Sequence, residues 1–284
     1  MIDQEQEIIC MSGATSGLGL VAACELAHKG AHVIILYRNA SKINHVLDYY
    51  KEHYSQTTAD FDFIFCDMNS FDTITKAAAE IHVKYKRIDT LILNAGIMSF
   101  KYTESADGIE ETLQTNLIAP VYMTDLFVDL LKASKKAKII FTASALHQGY
   151  INFNDLESKQ KFVSYKVYSQ SKLGVILITR LLAQKLEKFH ISVYAQHPGM
   201  VNTDLGRSAG MFSQWIFKLL GTSAENGAKN LLYLAMTPKA ELQTGAYYAS
   251  KKVKKTTTQS YDMNVAQQLL DRCKAYLSNR IQHI

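Results

Sequence analysis

Proline is rare in this chain, three among 284 residues, and no stretch rich in Gly, Ser or Pro separates one part from another. With no linker there is no boundary, so one domain over residues 1–284 is expected. Cysteine is scarce too. Cys10, Cys24, Cys66 and Cys273 contain no CxxC pair, and three of them lie in apolar segments. That excludes a disulfide framework and predicts reduced, mostly buried thiols in a reducing compartment. The nine histidines form no HExxH motif and no cluster, so no metal site is expected. No apolar run approaches the roughly 20 residues that cross a bilayer, and the opening MIDQEQE is too acidic and polar for a signal peptide. A cytoplasmic protein without a transmembrane segment is expected. Nor does charge of one sign dominate. The formal net charge is +5, and the only dense basic cluster is KKVKK at 251–255, beside TTT. It reads as a solvated surface, so no nucleic-acid partner is expected.

What the chain has is alternation. Hydrophobic residues make up 48% and charged ones 20%, an ordinary globular balance in a chain long enough for a substantial core. Apolar runs of strand length (EIICMSG, HVIILY, DFIFCDM, TLILNAG, AKIIFTAS, SVYAQHPG, GAYYAS) alternate with stretches of helix length such as LGLVAACELAHKG and FDTITKAAAEIHVKY. The order predicts an α/β fold of the Rossmann type, doubly wound, with about seven parallel strands and helices on both faces. Continuous apolar strands suit a sheet covered on both sides.

The first run leads into SGATSGLG, where Gly13, Thr15, Ser16, Gly17, Leu18 and Gly19 form a turn directly before a helix. Glycines let the backbone turn sharply and approach an anion, and the helix start offers unpaired N–H groups to a pyrophosphate. The plain alternative is a tight βα connection. At the end of the second run, an NAD enzyme would place an acid to hold the ribose hydroxyls. Here Tyr37 is followed by Arg38 and Asn39, and the nearest downstream acid is Asp48. A guanidinium suits a 2′-phosphate, which favours NADP over NAD. Asp67 and Met68 close the third run, and Asn94, Ala95 and Gly96 close the fourth. Both lie where ligands bind in open α/β sheets, Asp67 towards an adenine amino group and the small residues beside a ribose.

With these motifs in order, the chain resembles the short-chain dehydrogenase/reductase family over nearly its whole length. The signatures are SGATSGLG, LNAG, Asn116 in QTNLIAP, Ser144 in FTAS, Tyr168 and Lys172 in YSQSK, and HPG at 197–199. Within the family, SQSKLGVILITRLLA, PGMVNTDLGR and SAENGAKNLLYLA are most similar to the retinol dehydrogenase and WW-domain oxidoreductase branch. Ser12 stands where a threonine is usual and keeps a hydroxyl. The resemblance implies that Lys172 also binds the nicotinamide ribose. It implies that the Asn116 carbonyl, left free by Pro120, holds a water linking Lys172 to solvent. It implies homodimers or homotetramers, with helices at 108–132 and 165–189 as the contacts.

Tyr168 and Lys172 are four residues apart and share one helix face. Tyr247/Lys251 and Tyr248/Lys252 repeat the spacing, but GAYYAS reads as a strand, where that separation spans roughly 13 Å. Tyr165 has a serine, not a lysine, four residues on. Ser144, at a strand tip, can converge with Tyr168 on one substrate oxygen. The Lys172 ammonium and an oxidised nicotinamide would lower the phenol's pKa and ready Tyr168 as acid in reduction and base in oxidation. After the sixth run, Pro198 and Gly199 turn the chain, and Val201 and Thr203 are expected to contact the carboxamide. Residues 204–221, with Met211, Phe212 and Trp215, read as a lid over an apolar substrate, or as an amphipathic helix touching a membrane surface. The expected function is an NADP-dependent oxidoreductase interconverting a carbonyl and an alcohol. The alternative is a protein that senses NADP(H) without catalysis.

Overall fold

Strands rich in Ile, Val and Leu need cover on both faces, and intervening helices supply it. The computed structural model describes residues 6–54, 59–198, 224–280 and 282–284. The first half holds β1 (Ile8–Ser12), α1 (Gly17–His28), β2 (His32–Tyr37), α2 (Ser41–His53), β3 (Phe61–Phe65), α3 (Phe71–Lys84) and β4 (Thr90–Leu93). Then follow α4 (Glu111–Leu113), α5 (Ala119–Lys132), β5 (Lys138–Thr142), α6 (Ser164–Leu186) and β6 (Ser192–His197). The chain closes with α7 (Ala224–Met236), β7 (Tyr247–Ala249), β8 (Lys252–Val253) and α8 (Met263–Leu277).

One sheet runs in the order β3-β2-β1-β4-β5-β6-β7-β8. The first seven strands are parallel, and β8 returns antiparallel along β7. This eighth strand, two exposed residues long, carries no apolar signal that a sequence reading could detect. Successive side chains alternate between faces. Ile9, Met11, Val33, Ile35, Ile92 and Ile140 pack beneath α1, α2 and α7. Cys10, Ile34, Leu91, Leu93, Ile139 and Phe141 pack beneath α3, α5, α6 and α8. All four cysteines are free and buried. No helix among the described residues is long and apolar enough to cross a membrane.

The long helix expected through residues 108–132 is broken. Gly108 takes a positive φ of 74°. Helix begins only after Glu110, whose buried carboxylate accepts the N–H groups of Thr112 and Leu113 at 3.0 and 2.7 Å. Beyond α4 the chain widens into a π turn, Gln114–Ile118, where Ala119 N–H reaches the carbonyl of Gln114. Pro120 lies in the first turn of α5 and has no N–H for the carbonyl four residues back, so an uninterrupted α ladder cannot pass. The strand order reverses between β1 and β4, which opens a crevice at their carboxyl ends.

Candidate active site

The glycine turn fills one side of that crevice. Gly13 and Gly17 have φ of +68° and +55°, conformations that side chains disfavour. A Cβ at Gly13 would stand 2.7 Å from Ala95 N, and one at Gly19 only 2.0 Å from the carbonyl oxygen of Gly13. The turn therefore fits against β4 only without side chains. Ser12 Oγ accepts the N–H groups of Asn94 and Ala95 at 3.1 and 3.2 Å. Asn94 Nδ2 donates to Gly13 O at 3.0 Å, while its Oδ1 accepts from Thr142 Oγ1 at 3.0 Å. Asn94 thus braces the ends of three strands. Ser16, the residue before α1, makes no side-chain cap, and the first turn has no acid. The N–H groups there remain available to an anion, so the cradle suits a pyrophosphate.

Arg38 is exposed just beyond β2. Asn39 beside it accepts from Ser41 N and Oγ at 3.0 and 2.8 Å, so its side chain starts α2. Asp67 Oδ1 accepts Asn69 N–H at 3.0 Å, and Met68 is buried.

On the other side of the crevice, β5 ends at Thr142, and Ser144 follows. Tyr168 and Lys172 lie one turn apart on α6. Tyr168 is 7% exposed, whereas Tyr165 is 45% exposed, so the two tyrosines differ sharply in environment. The Ser144 side chain acts on the Tyr168 phenol, drawing its pKa down. Lys172 Nζ donates to Thr142 O at 2.8 Å and stands 5.7 Å from the Tyr168 ring centroid. Burial pushes the Lys172 amine down to about 8. Burial also raises the Tyr168 phenol, with the Ser144 side chain opposing it. In the protein alone, without the nicotinamide, desolvation disfavours the phenolate. A Cβ at Gly96 would approach Lys172 Nζ to 3.2 Å and Asn116 Oδ1 to 3.3 Å, so the small residue there leaves room for the amine.

Asn116, within the π turn, binds the loop after β4. Its Oδ1 accepts Ile97 N–H at 2.9 Å, and its Nδ2 donates to Ile97 O at 2.9 Å and to Ser171 Oγ at 3.0 Å.

A second layer escaped the sequence reading. His147 Nδ1 lies 2.6 Å from Ser144 O. Its ring packs against Tyr247 at 5.2 Å, and His197 stacks on the same tyrosine at 6.5 Å and 5°. Tyr247, set aside as a strand residue, is indeed on β7, yet it backs the site. The signal was faint: a histidine three residues after the strand-tip serine, and the histidine of HPG. Pro198 follows β6 directly. Gly199, Val201, Thr203 and the stretch 204–221 lie outside the described residues.

A family model described as short chain dehydrogenase matches residues 7–212. Retinol dehydrogenase 14 of Mus musculus is 32% identical over 278 residues, covering 93% of this chain and 83% of that protein. Polyprenol dehydrogenase of Homo sapiens is 32% identical over 276 residues, covering 92% and 82%. Among solved structures, a protein from Mycobacterium paratuberculosis superposes with a TM-score of 0.77 at 24% identity, covering 98% of this chain and 95% of its own. A short chain dehydrogenase from Shigella flexneri, complexed with NADP, gives 0.66 at 23% identity, covering 87% and 97%. At these identities the two structures establish the shared fold.

Proposed function

The chain belongs to the short-chain dehydrogenase family, and from that premise we propose that it is an NADP-dependent oxidoreductase interconverting a carbonyl and an alcohol. The observation that carries the proposal is the convergence of Ser144, Tyr168 and Lys172 at the carboxyl end of β5, across from the glycine turn. The dinucleotide, when bound, supplies or accepts the hydride. Gly13 to Gly19 would hold its pyrophosphate, and Arg38 its 2′-phosphate. Asp67, Met68, Asn94, Ala95 and Gly96 would line its adenosine and ribose, and Lys172 would reach the nicotinamide ribose.

Tyr168 gives its phenolic proton to the substrate oxygen in reduction and takes it back in oxidation. Ser144 holds that oxygen by a hydrogen bond. Lys172 contributes positive charge beside the phenol, and Asn116 steadies the loop that faces them. A phenol raised by burial keeps its proton at neutral pH, which suits the acid role and reduction. Relatives named for retinol and polyprenol support an apolar substrate. Four buried free thiols are compatible with the cytoplasm.

The test mixes purified protein with NADPH or NADH and a panel of ketones, aldehydes and quinones, followed by reduced-cofactor absorbance. Consumption of NADPH with an apolar carbonyl, faster than of NADH, is expected. Tight NADPH binding with silence across the panel would sink the enzyme and leave a sensor.

A further inference from the structure

We propose that His147 is a positioning residue for Ser144: its imidazole, held as the Nδ1–H tautomer, fixes the Ser144 carbonyl and so aims the hydroxyl that meets Tyr168. The inference rests on the reading of Ser144 and Tyr168 given above.

Ser144 stands just past the last rung of the sheet. Ala143 N–H still bonds to Gln196 O at 2.8 Å, but the ladder stops there. What holds Ser144 after that comes from its own loop. Leu146 N–H donates to Ser144 Oγ at 3.1 Å, and His147 Nδ1 lies 2.6 Å from Ser144 O. A carbonyl oxygen only accepts, so Nδ1 carries the proton. Both polar ends of Ser144 are thereby tied by the two residues that follow Ala145.

The imidazole is itself clamped. Tyr247 from β7 packs on its ring, and His197 from β6 stacks on the same Tyr247. Arg180, from α6, is the charged group that acts on it. Burial, then that guanidinium, keep the ring below its ordinary titration range, against the opposing hydrogen bond to Ser144. A neutral ring with Nδ1 protonated has a bare Nε2, which is the less common arrangement of a free imidazole. Losing the donor would leave a buried carbonyl unpaired at the strand tip. The peptide would then turn toward another donor and carry Oγ away from the phenol.

Two substitutions separate the donor from the bulk. His147→Leu keeps an apolar side chain in the space and removes the N–H. His147→Asn places an amide N–H near the position of Nδ1. With a panel carbonyl that the wild type reduces, H147L should lose about 100-fold in kcat, the cost of a misplaced group, with NADPH affinity changed less than about twofold. H147N should regain most of it. Wild-type kcat in H147L, or an H147N as slow as H147L, would reduce His147 to packing.

If the wild type reduces nothing, the functional reading falls while the hydrogen bond is judged separately. Long-range ¹H–¹⁵N spectra of the imidazoles, with His147 assigned by its loss in H147N, should show a neutral Nδ1–H ring whose protonation lies below the ordinary imidazole range. An Nε2–H ring, or protonation near the ordinary value of 6.5, would overturn the proposal. The spectra need no folded H147L.

Discussion

Removing one oxygen from Tyr168 probes the residue that the others surround. Tyr168→Phe should lower kcat by about 10²–10⁴-fold, the range of general acid–base catalysis, while NADPH still binds. Arg38→Ala should raise the KM for NADPH by about 10–100-fold and leave that for NADH unchanged, because one charge-assisted hydrogen bond contributes about 1.5–3 kcal/mol. His197 sets a pH dependence. Burial first, and His147 second, push it from 6.5 to about 4, and its buried Nδ1 has no hydrogen-bond partner among the described residues. Between those values the unfolded chain binds a proton that the folded one refuses, so stability falls as pH drops from 6.5 toward about 4. Melting temperatures down that range should decline, and His197→Gln should flatten the decline. At this scale the sequence was readable where chemistry is local. A lysine four residues on separates Tyr168 from Tyr165, and the structure puts the first inside and the second outside. His147 and Tyr247 meet across a hundred positions, and nothing in either neighbourhood announces the other.

Elements end where backbone groups run out of partners, and a side chain from elsewhere can take over. Lys138, at the start of β5, is buried and donates through Nζ to the carbonyls of Leu234, Ala235 and Thr237 at the end of α7. Burial lowers its pKa, yet a cation at a helix C-terminus is electrostatically well placed. Lys138→Met should cost about 1–3 kcal/mol in urea unfolding, because it leaves those carbonyls buried without a donor. A midpoint equal to wild type would mean that water replaces the amine. Local caps rest on short-range chemistry: Ser70 accepts from Thr73 N–H, and Asp262 from Asn264 and Val265 N–H. The break between α4 and α5 was not legible in the sequence, since the π turn has no Gly or Pro of its own and only Pro120, just beyond it, marks it.

On the scale of the molecule, α8 changes what α6 can do. Ala266, Leu269, Leu270, Cys273 and Leu277 form one buried stripe on α8. A Cβ at Gly174 would stand 3.2 Å from Leu269 Cδ2 and 2.8 Å from Leu117 Cδ2, so this face of α6 is internal. Subunit contacts were expected on residues 165–189, yet this part of them is already covered by the chain itself. Deleting residues 263–284 should uncover it and produce self-association in sedimentation, with the full chain as the reference. Unchanged sedimentation would show that α8 covers nothing sticky. By itself the sequence determined the succession of strands and helices, the glycine turn and the Tyr168–Lys172 pair, because periodicity, φ freedom and helical spacing act over a few residues. Only the tertiary structure decided that the phenol is buried, which histidine stands behind Ser144 and which face of α6 is covered. Desolvation and packing depend on whatever distant segments fold against a residue, and short-range pattern carries no record of them.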